Sequence, residues 1–223
     1  MNKKKWLKER NLYVEQNFGE EIYELASNYA ARNNLTLKQV YNKLQISKQN
    51  VSDWSHNDKR GVLTKKKLKA IKTIKSEFKL SAHEFDNLIA KAGFTAKAIT
   101  SSLHDNNLEF AKVFSEKLLV CKYNNQFLYE SVGISQSMFY EIKAGRKLNK
   151  ITILALLIMM DLKVTEIIEC LEAAGFCFSP SSEIDIIVVY MITNELVKMH
   201  PTKKLMMIND LLDSFDLPML HSK

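Results

Sequence analysis

The sequence is poor in turn formers, with only 6 glycines and 3 prolines among 223 residues. All-β sandwiches and barrels need many tight turns, and long disordered chains are rich in these residues, so both classes are excluded. Long apolar runs are missing as well. The longest, Ile153 to Met160, falls far short of the roughly 20 residues that cross a bilayer, so no membrane span is expected. The opening string Met1-Asn2-Lys3-Lys4-Lys5-Trp6-Leu7-Lys8 has no apolar segment behind its charges, which argues against a secretory signal. Three cysteines, Cys121, Cys170 and Cys177, form no CxxC pair. They read as reduced, buried thiols of a cytoplasmic protein, with neither a metal site nor a cofactor expected. No Gly-rich phosphate loop, GxSxG or HExxH string occurs, and His56, His83, His104, His200 and His221 are scattered. An enzyme is therefore the least favoured class.

What the chain does have is apolar content, 46% of residues, enough for one large core or two small ones. It also has unevenly spread charge. Residues 1–100 hold 20 Lys/Arg against 10 Asp/Glu, while residues 101–223 hold 12 against 15. The sharpest basic stretch, Lys59 to Lys79, contains Lys59, Arg60, Lys65, Lys66, Lys67, Lys69, Lys72, Lys75 and Lys79 against Glu77 alone. A basic half suggests a polyanion partner, and an acidic half suggests contact with itself or a protein. The alternative is an ordinary solvated lysine face.

The chain repeats itself. Leu44-Gln45-Ile46-Ser47 recurs 88 positions on as Val132-Gly133-Ile134-Ser135, and Ala92-Gly93-Phe94 recurs 82 positions on as Ala174-Gly175-Phe176. Apolar positions between these anchors agree: Val51 and Trp54 with Phe139 and Ile142, Ile71 and Ile74 with Ile153 and Leu156. Identity is sparse, so the pattern carries the reading of tandem copies. Apolar spacing at i, i+3 and i+4, with Thr36, Ser47, Thr64 and Ser81 as caps, predicts helices over 20–32, 36–44, 47–55, 64–78 and 81–92. The second copy gives 108–121, 125–132, 135–143, 152–160 and 165–174. Two further helices follow, 182–199 and 202–215, separated by Pro201. The expected fold is all-α: residues 1–103 and 104–178 as two five-helix units, and 179–223 as a helical extension.

Two short helices joined by a tight turn among three others make a helix-turn-helix reader of DNA. Both copies resemble the Cro/phage-repressor-type (XRE-like) helix-turn-helix family. In copy one the matching residues are Leu35 to Val40, the turn Leu44 to Ser47, and Lys48-Gln49-Asn50-Val51-Ser52-Asp53-Trp54. In copy two they are Phe127-Leu128-Tyr129, the turn Val132 to Ser135, and Gln136-Ser137-Met138-Phe139-Tyr140-Glu141-Ile142, completed by Lys143-Ala144-Gly145-Arg146. Copy one departs from that ending, with Asn57 in place of the usual glycine. A weaker resemblance, from Ala174-Gly175-Phe176-Cys177-Phe178-Ser179-Pro180 onward, is to tails that follow such domains in bacterial and mobile-element proteins.

The resemblance implies a sequence-specific regulator of transcription, in the first instance a repressor, of the kind phages and mobile elements encode. Its partner would be double-stranded DNA. Base readers on the outer face would be Lys48, Gln49, Asn50 and Ser52 in copy one and Gln136, Ser137, Tyr140 and Lys143 in copy two. Val51 with Trp54, and Phe139 with Ile142, would be buried inward. Helix starts at Thr36, Ser47 and Ser135 would hold phosphates, flanked by Lys59, Arg60, Lys65 and Lys66, and by Arg146, Lys147 and Lys150. One copy serving only as a platform remains an alternative; charge favours copy one as the reader, the family ending copy two. Asp53 and Glu141 would accept from cytosine N4, repel phosphate or, in the first instance, hold basic neighbours. Met159, Met160, Met206 and Met207 are expected in the core.

Residues 182–220 offer Ile184, Ile187, Val188, Met191, Ile192, Leu205, Ile208, Leu211, Leu212 and Phe215, more apolar surface than one small domain needs. A homodimer interface or a protein-partner site is expected there; the alternative is that the helices fold back over copy two. The competing functional class is a protein-interaction module, an antitoxin or mobile-element inhibitor with autoregulatory DNA binding. Structured-RNA binding is weakened by the few aromatics suited to base stacking.

Overall fold

A computed structural model describes residues 2–56, 64–100 and 103–220. It is all-helical, with no strand among the described residues. The order is α1 (Lys3–Glu9), α2 (Phe18–Arg32), α3 (Leu37–Lys43), α4 (Lys48–His56), α5 (Lys65–Glu77), α6 (Ala82–Lys91) and α7 (Ala96–Thr100). Then come α8 (Leu103–Val120), α9 (Asn125–Val132), α10 (Gln136–Lys143), α11 (Lys150–Met159), α12 (Val164–Ala173) and α13 (Glu183–Tyr190). A π-helical turn (Met191–Glu195) leads to α14 (Pro201–Asp213).

Local chemistry accounts for the helix starts. Asn17 with Glu20, Thr36 with Gln39, and Ser81 with Glu84 form reciprocal capping boxes, each closing two otherwise unmatched backbone N–H groups. Pro201 stands in the first turn of α14, where its missing N–H costs nothing. Helix ends show the effect of scarce glycine. Asn11, Asn34, Gln45, Lys79, Asp161 and Asp216 all take left-handed backbone that glycine would adopt more cheaply.

The expected helices are present, with four differences. A short α7 was not anticipated, and the helix expected over 108–121 begins earlier, so that α8 starts at Leu103 and spans the expected boundary. The expected helix 182–199 stops being α-helical at Tyr190 and widens into the π-turn. Finally, α1 sits apart from the helices that follow it in sequence. Trp6 packs edge-on against Tyr190 and Phe215, Lys3 pairs with Glu183, and Arg10 with Glu195.

Two packing centres organise the rest. α2 lies against α3, α4 and α6, while α8 lies against α10 and α12. α11 is apolar on every side and buried throughout, from Ile153 to Met159. Such a helix needs cover all round. α9, α12 and α14 supply it. This overturns the argument for a homodimer interface. Ile184, Ile187, Val188, Met191, Leu205, Ile208, Leu211, Leu212 and Phe215 are all buried within the chain. Of the methionines expected in the core, Met206 is instead 53% exposed.

The left-handed turn that closes many of these helices also ends α6 and α12. Phe94 N donates to Ile89 O, and Phe176 N to Leu171 O. Gly93 and Gly175 hold φ of +81° and +80°. The two turns then pair as an antiparallel bridge between Phe94 and Phe176, with ring centroids 5.6 Å apart. A Cβ on Gly175 would lie 2.8 Å from the Ala98 Cβ, whereas one on Gly93 meets only the Lys150 Nζ at 3.7 Å. Gly93→Ala therefore carries left-handed strain alone, about 1–2 kcal/mol. Gly175→Ala adds the collision, and urea unfolding is expected to rank it as clearly the costlier. Equal midpoints would show that the bridge yields freely.

Candidate nucleic-acid interface

Two turns between short helices, α3 to α4 and α9 to α10, are built with the same bonds. After α3, Gln45 is left-handed at φ 56° and Ile46 N donates to Tyr41 O. After α9, Gly133 is left-handed at φ 66° and Ile134 N donates to Tyr129 O. The isoleucine following each left-handed residue turns inward, and a serine then caps the next helix. Ser47 Oγ accepts from Asn50 N, and Ser135 Oγ accepts from Met138 N. Gln45 pays the left-handed penalty that Gly133 avoids, so Gln45→Gly is expected to raise stability by about 1 kcal/mol in a denaturant titration. No gain would mean that the turn is relaxed elsewhere.

On α4, Lys48, Gln49 and Ser52 are exposed, while Val51 is buried. Trp54 is only half-buried, against Phe18 at 5.5 Å, and so lines the surface of the core rather than its centre. Asn50 is half-buried, and its Oδ1 accepts from both Ser47 N and Ser47 Oγ. That side-chain oxygen serves the helix start. Gln49 Nε2 donates to Asp53 Oδ1 at 2.8 Å, so Asp53 holds an amide where a basic neighbour was expected.

On α10, Gln136, Ser137, Tyr140 and Lys143 are exposed, and Phe139 and Ile142 are fully buried. Gln136, Tyr140 and Lys143 fall on one helical stripe, with Lys143 Nζ 5.5 Å from the Tyr140 ring centre. Ser137 Oγ and Arg146 both reach Glu141, so Glu141 holds a base as expected. Lys147 is exposed. The structure thus leaves Lys48, Gln49 and Ser52 exposed on α4 and Gln136, Ser137, Tyr140 and Lys143 exposed on α10, while Asn50 turns to the helix start.

The flanking bases divide. Lys59 and Arg60 lie outside the described residues, as does the Lys65 side chain. Lys66 is exposed and shares one edge of α5 with Lys69 and Lys72, and among the described residues no carboxylate pairs with these three. Their spacing of three residues was the signal for this face, although only Lys66 was singled out as a contact. Lys67 is fully buried, its Nζ 4.6 Å from the Phe18 ring and 5.4 Å from the Phe94 ring. Lys43 is drawn to Glu77 and Tyr29, which raise its ammonium to about 12.

Lys150 overturns its expected place beside a duplex. It is 4% exposed and donates to the Asp185 carboxylate and to Cys177 O. Asp185 also accepts from Ser179 N at 2.7 Å. Thr36 caps α3 through Gln39 N, leaving its hydroxyl committed to the helix start. Burial pushes the thiol of Cys170 up to about 12 and that of Cys177 to about 11. Both stay protonated at neutral pH and are poor nucleophiles. No family model matches the chain, and comparisons with curated proteins and with solved structures gave no match.

Proposed function

We propose that this protein is a sequence-specific binder of double-stranded DNA, a regulator of transcription built from two tandem helix-turn-helix units, and not an enzyme. One observation carries the reading. The turn between α3 and α4 and the turn between α9 and α10 share a left-handed residue, an inward isoleucine and a capping serine, and each is followed by a helix with polar side chains outward. That is the shape a duplex major groove admits. Gln49 and Gln136 are the side chains suited to adenine, and Lys48 and Lys143 to guanine or phosphate. The edge formed by Lys66, Lys69 and Lys72 supplies sequence-independent attraction. Asn50 is excluded from base reading through its oxygen, because its Oδ1 closes the cap of α4. A protein-interaction module is the second reading, favoured by the acidic C-terminal region, although most apolar residues of α13 and α14 are buried inside the chain.

Selection from a random duplex library, at about 0.15 M salt where non-specific binding is weak, tests the proposal. An enriched motif is expected. Gln49→Ala and Gln136→Ala should each relax preference at one part of it, by about 1–3 kcal/mol of discrimination. A library that returns unenriched would sink the reading.

A further inference from the structure

We infer that one chain spans one duplex as an internal pair, reading two inverted and unlike half-sites through units locked across the Phe94–Phe176 bridge. This rests on the duplex-binding reading above. Thr95 N donates to Gly175 O, and Cys177 N donates to Gly93 O, both at 3.1 Å. Shifting each residue of the first bond by the 82-residue repeat interval gives the second, with the two segments exchanged. Antiparallel segments that trade bonds in this way are related by a local two-fold axis through the pair. The contact is isologous, as at the interface of a symmetric dimer.

The two units also match internally, so the exchange extends beyond the bridge. Gly93 N reaches Ala90 O as Gly175 N reaches Glu172 O, and α6 lies on α2 as α12 lies on α8. An axis that exchanges these elements also exchanges α4 with α10. Recognition helices related by a two-fold read the two directions of a duplex, whereas a simple translation along the chain would read one direction twice.

The pair is tied rather than tethered. Ser179 Oγ and Ser181 Oγ both donate to Lys91 O at the end of α6, and Cys177 Sγ lies 3.3 Å from Phe94 O. The buried Lys150–Asp185 pair fixes the same segment to α11. The half-sites differ because Lys48, Gln49 and Ser52 stand on one helix and Gln136, Ser137, Tyr140 and Lys143 on the other.

The test uses the full chain and the duplex enriched by selection. Sedimentation gives the number of chains per duplex, and binding is then measured on duplexes with base pairs inserted between the halves. An imperfect inverted repeat, one chain per duplex, and a loss of affinity of about 100-fold on inserting about half a helical turn are expected. A direct repeat, a single half-site, two chains per duplex, or tolerance of the insertion would each overturn the internal pair while leaving duplex binding intact. Failure to enrich any sequence would overturn both readings.

Discussion

Replacing Lys150 by methionine is expected to cost about 3–5 kcal/mol of folding stability. Both side chains of the Lys150–Asp185 pair are only 5% exposed. Removing the ammonium leaves a carboxylate out of water with one backbone donor, Ser179 N, still facing it. The pair need not be strongly stabilising for this to hold, because the penalty is the orphaned charge. Asp185→Leu in the same chain should therefore recover most of the loss, since an apolar pair of similar volume suits that environment. Urea unfolding of the wild type, the single variant and the double variant measures this directly. A single variant within 1 kcal/mol of wild type would show that water reaches Asp185.

Exchanging Lys66, Lys69 and Lys72 together for glutamine is expected to weaken duplex binding about 100-fold near physiological salt. Each phosphate contact contributes about 0.9 to the slope of log affinity against log salt, so three contacts remove up to about 2.7. Stability should shift by no more than about 0.5 kcal/mol, because these exposed side chains carry no ion pair among the described residues. Binding measured over a range of salt separates this outcome from unfolding. The order of preferred sequences should survive, since phosphate contacts position without specifying. An unaltered slope would remove α5 from the interface and leave α4 and α10 to act alone.

The helices themselves were legible. Caps at Thr36, Ser47 and Ser81 act on backbone N–H groups three residues away, and apolar spacing repeats within two turns. Such signals lie wholly within a short string, so one sequence displays them. The two turns were legible for the same reason, with Leu44 to Ser47 and Val132 to Ser135 each spelling out their own bend. The π-turn at Met191 was not, because the residues entering it, Tyr190 and Met191, suit an α-helix equally well.

The sequence by itself determined the all-helical class, the order of the helices other than α1 and α7, and the outward polar faces of α4 and α10. Each depends on contacts within a few residues. Tertiary structure alone decided the fate of charges and apolar faces that look alike in a string. Lys66 and Lys67 are neighbours, yet one is solvated and the other is buried between Phe18 and Phe94. Lys150 reads as a duplex flank until Asp185, 35 residues away, draws it inward. The apolar residues of α13 and α14 read as an interface until α14 packs on α11 and α13 packs on α14. The bridge of Phe94 to Phe176 likewise joins residues whose strings are similar but whose meeting no local pattern encodes. Burial is a property of which elements meet, and that depends on the free energy of the whole arrangement rather than on any window of sequence.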